Sequence, residues 1–191
     1  MADYGGYGIK FWPFAEENPE PAGAMPNYGE PITIGELNQV SDTITYNEAS
    51  AYGDDVRARY LRQLREYGLT VQVLDISNEN MSVLLGAKLN TEGTLRIGSN
   101  DNAPYGAVTF TRRVLLKDNV MKLKGMIYPK VKASMEGRTY TTKGDSITLT
   151  GQGITFGGSP CNSGDAILIS PDFETEAEVE AWFEQELGVA G

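Results

Sequence analysis

The chain has 191 residues, enough for one domain with a sizeable core, and its 40% hydrophobic and 22% charged residues are typical of a soluble globular protein. No apolar run approaches the roughly 20 residues that span a bilayer, and the N-terminus lacks the pattern of a secretory signal. We therefore expect no membrane partner and synthesis in a reducing cytoplasm.

The net charge of −10 is unevenly distributed along the chain. No Lys or Arg follows Lys143, and residues 144–191 hold nine acids, which leaves 26 − 9 = 17 acids against 16 bases in the remainder. The acidity therefore belongs to the C-terminal segment. The nearly neutral body argues against general binding of nucleic acid, which requires clustered positive charge.

Residues 1–31 are rich in Gly, Pro and Tyr and predict an N-terminal arm and loop, with a possible first strand at 7–14 and a long exposed loop after it. Such an arm either docks on another surface or is a partly ordered terminus. Residues 32–191 are predicted to form a single domain that includes an acidic C-terminal helix.

Short segments with alternating polarity predict a mainly β fold, a sandwich or barrel of antiparallel strands. In chain order the predicted strands are 32–34, 43–46, 69–73, 94–97, 107–113, 120–124, 126–135, 146–150 and 167–169. In the stretch 127–156 we expect Val131, Ala133 and Met135 to face the core. Residues 54–67 fit either a helix or a strand.

Two short helices are predicted, at 77–86 and 175–187. Ser77 and Asn78 offer caps for the first, which Gly86 ends. Thr175 to Glu178 form a capping box for the second, whose stripe of Val179, Trp182, Phe183 and Leu187 should pack on a sheet. The glycines at 144, 151, 153, 157 and 158 are interpreted as turns and bulges.

The residues that usually carry chemistry are scarce. The chain has no histidine, so the usual nucleophilic triads are excluded, and Cys161 is alone, so we interpret it as an inert loop thiol. Asp54, Asp55 and Asp101 are interpreted mainly as caps and turn residues. We expect no enzyme activity, no metal and no cofactor.

Several motifs, in order, resemble the major tail protein of long, non-contractile tailed phages, the siphoviruses. They are Ala51-Tyr52-Gly53-Asp54-Asp55, the run from Leu69-Thr70-Val71 through Asp75-Ile76-Ser77 to Leu84-Leu85-Gly86, Ala103-Pro104-Tyr105-Gly106, Tyr128-Pro129-Lys130-Val131-Lys132, and Thr142-Lys143-Gly144-Asp145-Ser146-Ile147. The resemblance covers about residues 30–160.

The resemblance implies a tail tube protein. Its expected fold is a β-sandwich or partly open barrel of two antiparallel sheets, with one or two flanking short helices and an extended hairpin, which we assign to residues 41–68. Copies would form hexameric rings that stack into a tube through which double-stranded DNA passes without specific binding. The implied further partners are the tape measure, tail terminator and distal tail proteins. The implied location is the virion, after assembly in the host cytoplasm.

Within this interpretation we expect two groups of functional residues. The candidates for facing the lumen, where acids would repel phosphates, are Asp42, Glu48, Asp54 and Asp55. The candidates for contacts between subunits are Arg57, Arg59, Arg62, Arg65, Trp12 and Tyr28.

Two other readings compete with this one. The first is a carbohydrate- or protein-binding β-sandwich whose recognition surface is made of exposed Tyr4, Tyr7, Trp12 and Tyr28. The second is an enzyme on a β scaffold that uses the carboxylates Asp54 and Asp55, and the absence of histidine weighs against it.

Overall fold

The computed structural model describes residues 2–17, 19–53, 56–137 and 151–189, with side chains for all of these except 2–4, 51–53 and 56–58. Along the described chain the elements are β1 (Ala2–Pro13), β2 (Ile32–Thr33), β3 (Leu37–Gly53), β4 (Val56–Val73), α1 (Asn78–Leu85), β5 (Lys88–Leu89), β6 (Leu95–Arg96), β7 (Tyr105–Leu115), β8 (Met121–Met135), β9 (Gln152–Gly158), β10 (Leu168–Ile169) and α2 (Glu176–Leu187).

The strands form one large and one small antiparallel sheet. The large sheet has the order β2-β1-β7-β8-β9-β4-β3, and β10 pairs with β8 beside it. The small sheet consists of β5 and β6 alone. The predicted mainly β fold with antiparallel sheets and two short helices is therefore confirmed, and the described strands do not close into a barrel.

The large sheet curls strongly around its core. The rings of Phe11 in β1 and Phe156 in β9 stack with centroids 6.2 Å apart, although β7 and β8 lie between these strands. In a flat sheet, three strand spacings would separate them by about 14 Å. The concave side therefore holds the main core, to which β1, β4, β7, β8, β9 and α1 all contribute buried side chains. As expected, Val131 and Ala133 are buried on this side and Met135 packs against it.

Helix α2 covers the convex side of the same sheet. Val179, Phe183 and Leu187 are buried there in a second apolar cluster, together with Trp12 and other residues of β1, β7 and β8. The capping box at Thr175 is present and Gly188 ends the helix in the left-handed conformation. The predicted helix and its packing on a sheet are confirmed.

Helix α1 begins and ends where its caps predict. The Ser77 side chain accepts a hydrogen bond from the Asn80 amide, and Gly86 adopts a φ of 64° at the C-terminal end. Met81, Leu84 and Leu85 are buried in the main core.

The N-terminal segment belongs to the large sheet. Strand β1 pairs with β7 on one side and with β2 on the other. Its side chains Ile9 and Phe11 are completely buried in the core, which stabilises this position. The division predicted at residue 31 thus separates strands that share one sheet. The loop after β1 is tied to β8 by the ion pair from Glu20 to Lys130, 2.6 Å.

Within the ambiguous segment 54–67, residues 56–67 are strand, since residues 56–73 form β4 and pair with β3 along their length, while 54 and 55 lie outside the described residues. The predicted strands 120–124 and 126–135 are one strand, β8, which continues through Gly125. Ser146–Thr150 lies outside the described residues.

The sequence analysis did not predict strand β9, because it contains Gly153, Gly157 and Gly158, and we interpreted these glycines as turns and bulges. A Cβ at Gly158 would overlap the ring of Tyr67. The strand therefore needs a glycine where that aromatic side chain lies against its backbone.

Candidate functional site

The hairpin β3–β4 is much longer than the sheet from which it starts. Its strands pair from Leu37 and Val73 out to Gly53 and Val56, whereas β9 pairs with β4 only from Tyr67 to Val73. Residues 44–53 and 56–66, which we call the ribbon, therefore project beyond the sheet by about 35 Å at ~3.3 Å per residue. The ribbon corresponds to the extended hairpin expected at 41–68.

The register gives the ribbon two different faces. Thr45 pairs with Glu66 and Tyr46 with Leu64, so Arg65 is an extra residue in a bulge. Beyond the bulge, one face carries aromatic and charged side chains, namely Tyr46, Glu48, Tyr60 and Arg62. The other face carries the directly opposed pair Ala49 and Leu61, with Gln63 on one side of Leu61 and Arg59 on the other.

Several apolar side chains on the ribbon are partly exposed. Leu61 is 64% exposed, Tyr60 47%, Tyr46 38% and Ile44 37%. Scattered exposed apolar residues are ordinary on a protein surface, but these lie together on a two-stranded element, with which no third strand pairs in the described part of the chain.

The ribbon arginines make contacts inside the chain. Arg62 Nε lies 3.2 Å from Glu48 Oε1, and its guanidinium lies 3.9 Å from the centre of the Tyr46 ring. Arg65 forms an ion pair with Glu66. Arg59 is exposed. Because exposed ion pairs contribute little stability, these arginines can exchange partners at low cost, and their predicted contacts between subunits stay a prediction.

Of the four acids predicted to face the lumen, the structure describes Glu48 and Asp42, and both contact side chains of their own chain. Glu48 is the partner of Arg62, and the Asp42 carboxylate accepts a hydrogen bond from the Tyr128 hydroxyl, 3.1 Å. Burial, followed by the charge of Asp42, raises the pKa of Tyr128 above its usual range. The side chain of Arg57, and residues Asp54 and Asp55, are outside the description. The lumen-facing role of these acids stays a prediction.

Asp42 also lines a cavity of about 370 Å³ where β1 approaches β3 without pairing with it. Leu37, Val40, Phe110 and Met126 make its walls mostly apolar. This cavity marks the seam at which the curled sheet fails to close.

The expectation that Trp12 and Tyr28 belong to an exposed recognition surface is wrong. They are 3% and 6% exposed, because both pack in the cluster beneath α2. The Trp12 indole donates a hydrogen bond to the Thr109 hydroxyl, 3.0 Å, and the Tyr28 hydroxyl donates to the Pro129 carbonyl, 2.8 Å. They have almost no surface left for a neighbouring copy or a glycan.

The C-terminal acids neutralise bases of the body on the α2 side. Lys10 pairs with Glu180 at 2.5 Å, Lys122 with Glu174 at 2.6 Å and Lys124 with Asp172 at 3.1 Å. The local excess of negative charge on this segment is therefore partly compensated by the sheet on which it lies.

The remaining reactive groups are few among the described residues. Cys161 is a buried free thiol whose pKa is raised to about 12 by burial and then by the Glu20 carboxylate, which supports its interpretation as inert. In the part of the chain that the structure describes, no three His, Cys, Asp or Glu residues are grouped to hold a metal. No described helix is long and apolar enough to cross a membrane.

Sequence reasoning also missed a pair of glycines at the root of the ribbon. Gly68 in β4 lies opposite Gly157 in β9, and a surface trough of about 600 Å³ passes over them. The available signal was a glycine inside an alternating strand, since Gly68 stands between the buried Tyr67 and Leu69.

Comparison of the sequence with protein-family models and with curated proteins finds no match.

Proposed function

We propose that this protein is a structural subunit that assembles with copies of itself, as a tail tube protein of the siphovirus type. In this proposal the copies form hexameric rings, the rings stack into a hollow tube, and double-stranded DNA passes through the tube without specific binding. The tape measure, tail terminator and distal tail proteins would be its other partners in the virion.

The observation that carries the proposal is the projecting ribbon. A two-stranded hairpin is at best marginally stable in water unless a third strand or another surface covers it. The ribbon leaves Leu61 64% exposed, and among the described residues no third strand pairs with the ribbon. A neighbouring copy would supply the missing cover.

The free edge of β3 supports the same proposal. In the described chain, β3 pairs with β4 alone, so its other edge presents unpaired backbone groups along 17 residues. A long open edge promotes association with another chain, and proteins that remain monomeric usually protect such edges. An assembling subunit uses this edge instead.

The experiment is electron microscopy of the purified protein combined with size-exclusion chromatography. We expect rings or tubes for the wild-type chain. A matched variant, in which residues 46–65 are replaced by a two-residue Asn-Gly turn, keeps the pair Thr45 and Glu66 in register and should elute as a folded monomer. Far-UV circular dichroism checks that the variant is folded.

Two results would contradict the proposal. A wild-type chain that stays monomeric at every concentration and ionic strength tested would overturn self-assembly. Saturable binding of a glycan by that monomer would favour a binding module instead.

A further inference from the structure

Nothing in the described part of the chain explains why the opposed residues Gly68 and Gly157 are glycines. Neither backbone is in the left-handed region that favours glycine, and a Cβ at either position would have no atom within 4 Å. A glycine in a strand interior is destabilising compared with a residue that has a side chain. These two positions are therefore weaker than the fold alone requires.

Several other glycines in the described strands do have such explanations. A Cβ at Gly125 would lie 2.7 Å from the Phe183 ring of α2. A Cβ at Gly106 would overlap β1, and at Gly153 the Glu136 carboxylate. Gly5 and Gly8 have positive φ angles. The contrast indicates that the close approach at Gly68 and Gly157 comes from outside the chain.

The two glycines form the floor of the trough at the root of the ribbon. Thr43, Thr45, Arg65 and Glu66 line it on the hairpin side, and Tyr105, Lys132 and Ser159 on the other. The convex face under α2 is covered, whereas this part of the sheet is open above both glycines. The trough is thus a surface recess made by the absence of two neighbouring side chains.

We propose that the trough receives the ribbon of a second copy of this chain, with Leu61 lying over Gly68 and Gly157. This inference rests on the proposed self-assembly and names the two surfaces that meet. Leu61 is 64% exposed and lies opposite the small Ala49, so it protrudes from its face of the ribbon. A protruding apolar side chain and a recess without side chains are complementary in shape.

The size of the ribbon and the position of the trough both favour a second copy as the occupant. The ribbon, 44–53 and 56–66, reaches the lower end of the roughly 20–30 residues per partner in a stable interface when a neighbouring copy contacts both of its faces. Because ribbon and trough are different surfaces of one chain, the contact is head-to-tail, and a rotation that closes it produces a ring. Each copy then gives its ribbon to one neighbour and its trough to another.

The test fills the recess without disturbing the monomer. The substitutions Gly68→Thr and Gly157→Thr add a strand-favouring side chain into open space, so we expect each to keep the fold and raise Tm by about 2 °C. The same variants should lose rings and tubes by at least about tenfold in sedimentation and microscopy. Gly98→Thr, in the loop after β6, is the matched control and should assemble normally, since its Cβ would meet only Asp101, at 3.9 Å.

A second pair of variants tests the protruding side. Leu61→Ser should weaken assembly, whereas Leu74→Ser, at a similarly exposed leucine outside the ribbon, should not. If the wild-type chain assembles and folded Gly157→Thr assembles equally well, the trough is not the receptor and this inference is overturned, while self-assembly stands. If the wild-type chain does not assemble, the proposed function itself falls.

Discussion

The ribbon and the curled body share strands β3 and β4, but alternate side chains of β4 are buried in the body, whereas its side chains in the ribbon are mostly exposed. In the body, β4 places Tyr67, Leu69, Val71 and Val73 in the core at 2% exposure or less. A few residues earlier, the same strand leaves Leu61 64% exposed. The difference arises from the neighbours, because β9 pairs with β4 only from Tyr67 onward. A strand is stabilised mainly by what packs on its faces, and the described residues supply such packing to the body and little of it to the ribbon.

The largest expected effect is a difference in unfolding free energy between two variants, each of which truncates one apolar side chain in one of the two regions. Phe156→Ala should destabilise the fold by about 3–5 kcal/mol, because it leaves a cavity among fully buried residues next to Phe11. Leu61→Ala should change the stability of the monomer by less than about 0.5 kcal/mol. Urea unfolding followed by circular dichroism measures both. A similar loss in the two variants would show that the ribbon packs within the monomer.

Alkaline pH should unfold the body through its buried tyrosines. Burial is the first cause that raises the pKa of Tyr28, Tyr67 and Tyr128 above the usual range. Their contribution is complete below the unfolded pKa of about 10 and is lost as the pH rises above it. Each then removes up to ~1.4 kcal/mol per pH unit. The part of the phenolate absorbance that comes from these three tyrosines should therefore appear only together with the loss of ellipticity.

The variant Tyr28→Phe provides the control for this titration. Five described groups have a raised pKa, namely Tyr7, Tyr28, Tyr67, Tyr128 and Cys161. Because the substitution removes one of them, the fall of the unfolding free energy with pH above 10 should be about one fifth less steep. An unchanged slope, or phenolate absorbance that reaches its full value before the protein unfolds, would contradict the burial of these hydroxyls.

Limited proteolysis compares the two regions at the level of local opening. Arg59, Arg62 and Arg65 lie in the ribbon, whereas Lys130 and Lys132 lie in β8 between two partner strands. Trypsin should cleave the ribbon of the monomer at least about tenfold faster, because a two-stranded element opens at lower cost. Assembly should protect the ribbon. Equal rates of tryptic cleavage in β8 and in the ribbon would contradict the expectation that the ribbon opens at lower cost than the body.

The smallest effect concerns the attachment of α2. Hydrogen bonds from the backbone amides of Thr175 and then Glu174 lower the pKa of Glu178. Its contribution is present above the unfolded pKa of about 4.3 and is lost as the pH falls through the lowered folded value. We expect the tryptophan fluorescence to change slightly below about pH 4, since Trp12 and Trp182 both lie at this contact. Glu178→Gln should remove that pH dependence, and a change of equal size in the variant would exclude Glu178 as its cause.

Local signals in the sequence predicted the helices well. The capping box at Thr175 and the cap at Ser77 lie within a residue or two of their helices, since caps satisfy backbone groups that the helix itself leaves free. The alternation at 69–73 and at 131–135 within the predicted strand 126–135 also predicted strands correctly, because alternate side chains there are buried in the core. The burial of Trp12 and Tyr28 was not predictable, because the residues that cover them are far away in the chain.

What the sequence determined by itself was the mainly β class, the two capped helices, the acidity of the C-terminal segment and the scarcity of reactive groups. The tertiary structure alone decided that residues 56–67 are strand, that β9 contains glycines, and that Gly68 lies opposite Gly157. Periodicity and capping act over a few residues and can be read locally. The reason for a strand glycine is a neighbour across the sheet or in another molecule, and only the folded arrangement shows which neighbour is present and which is missing.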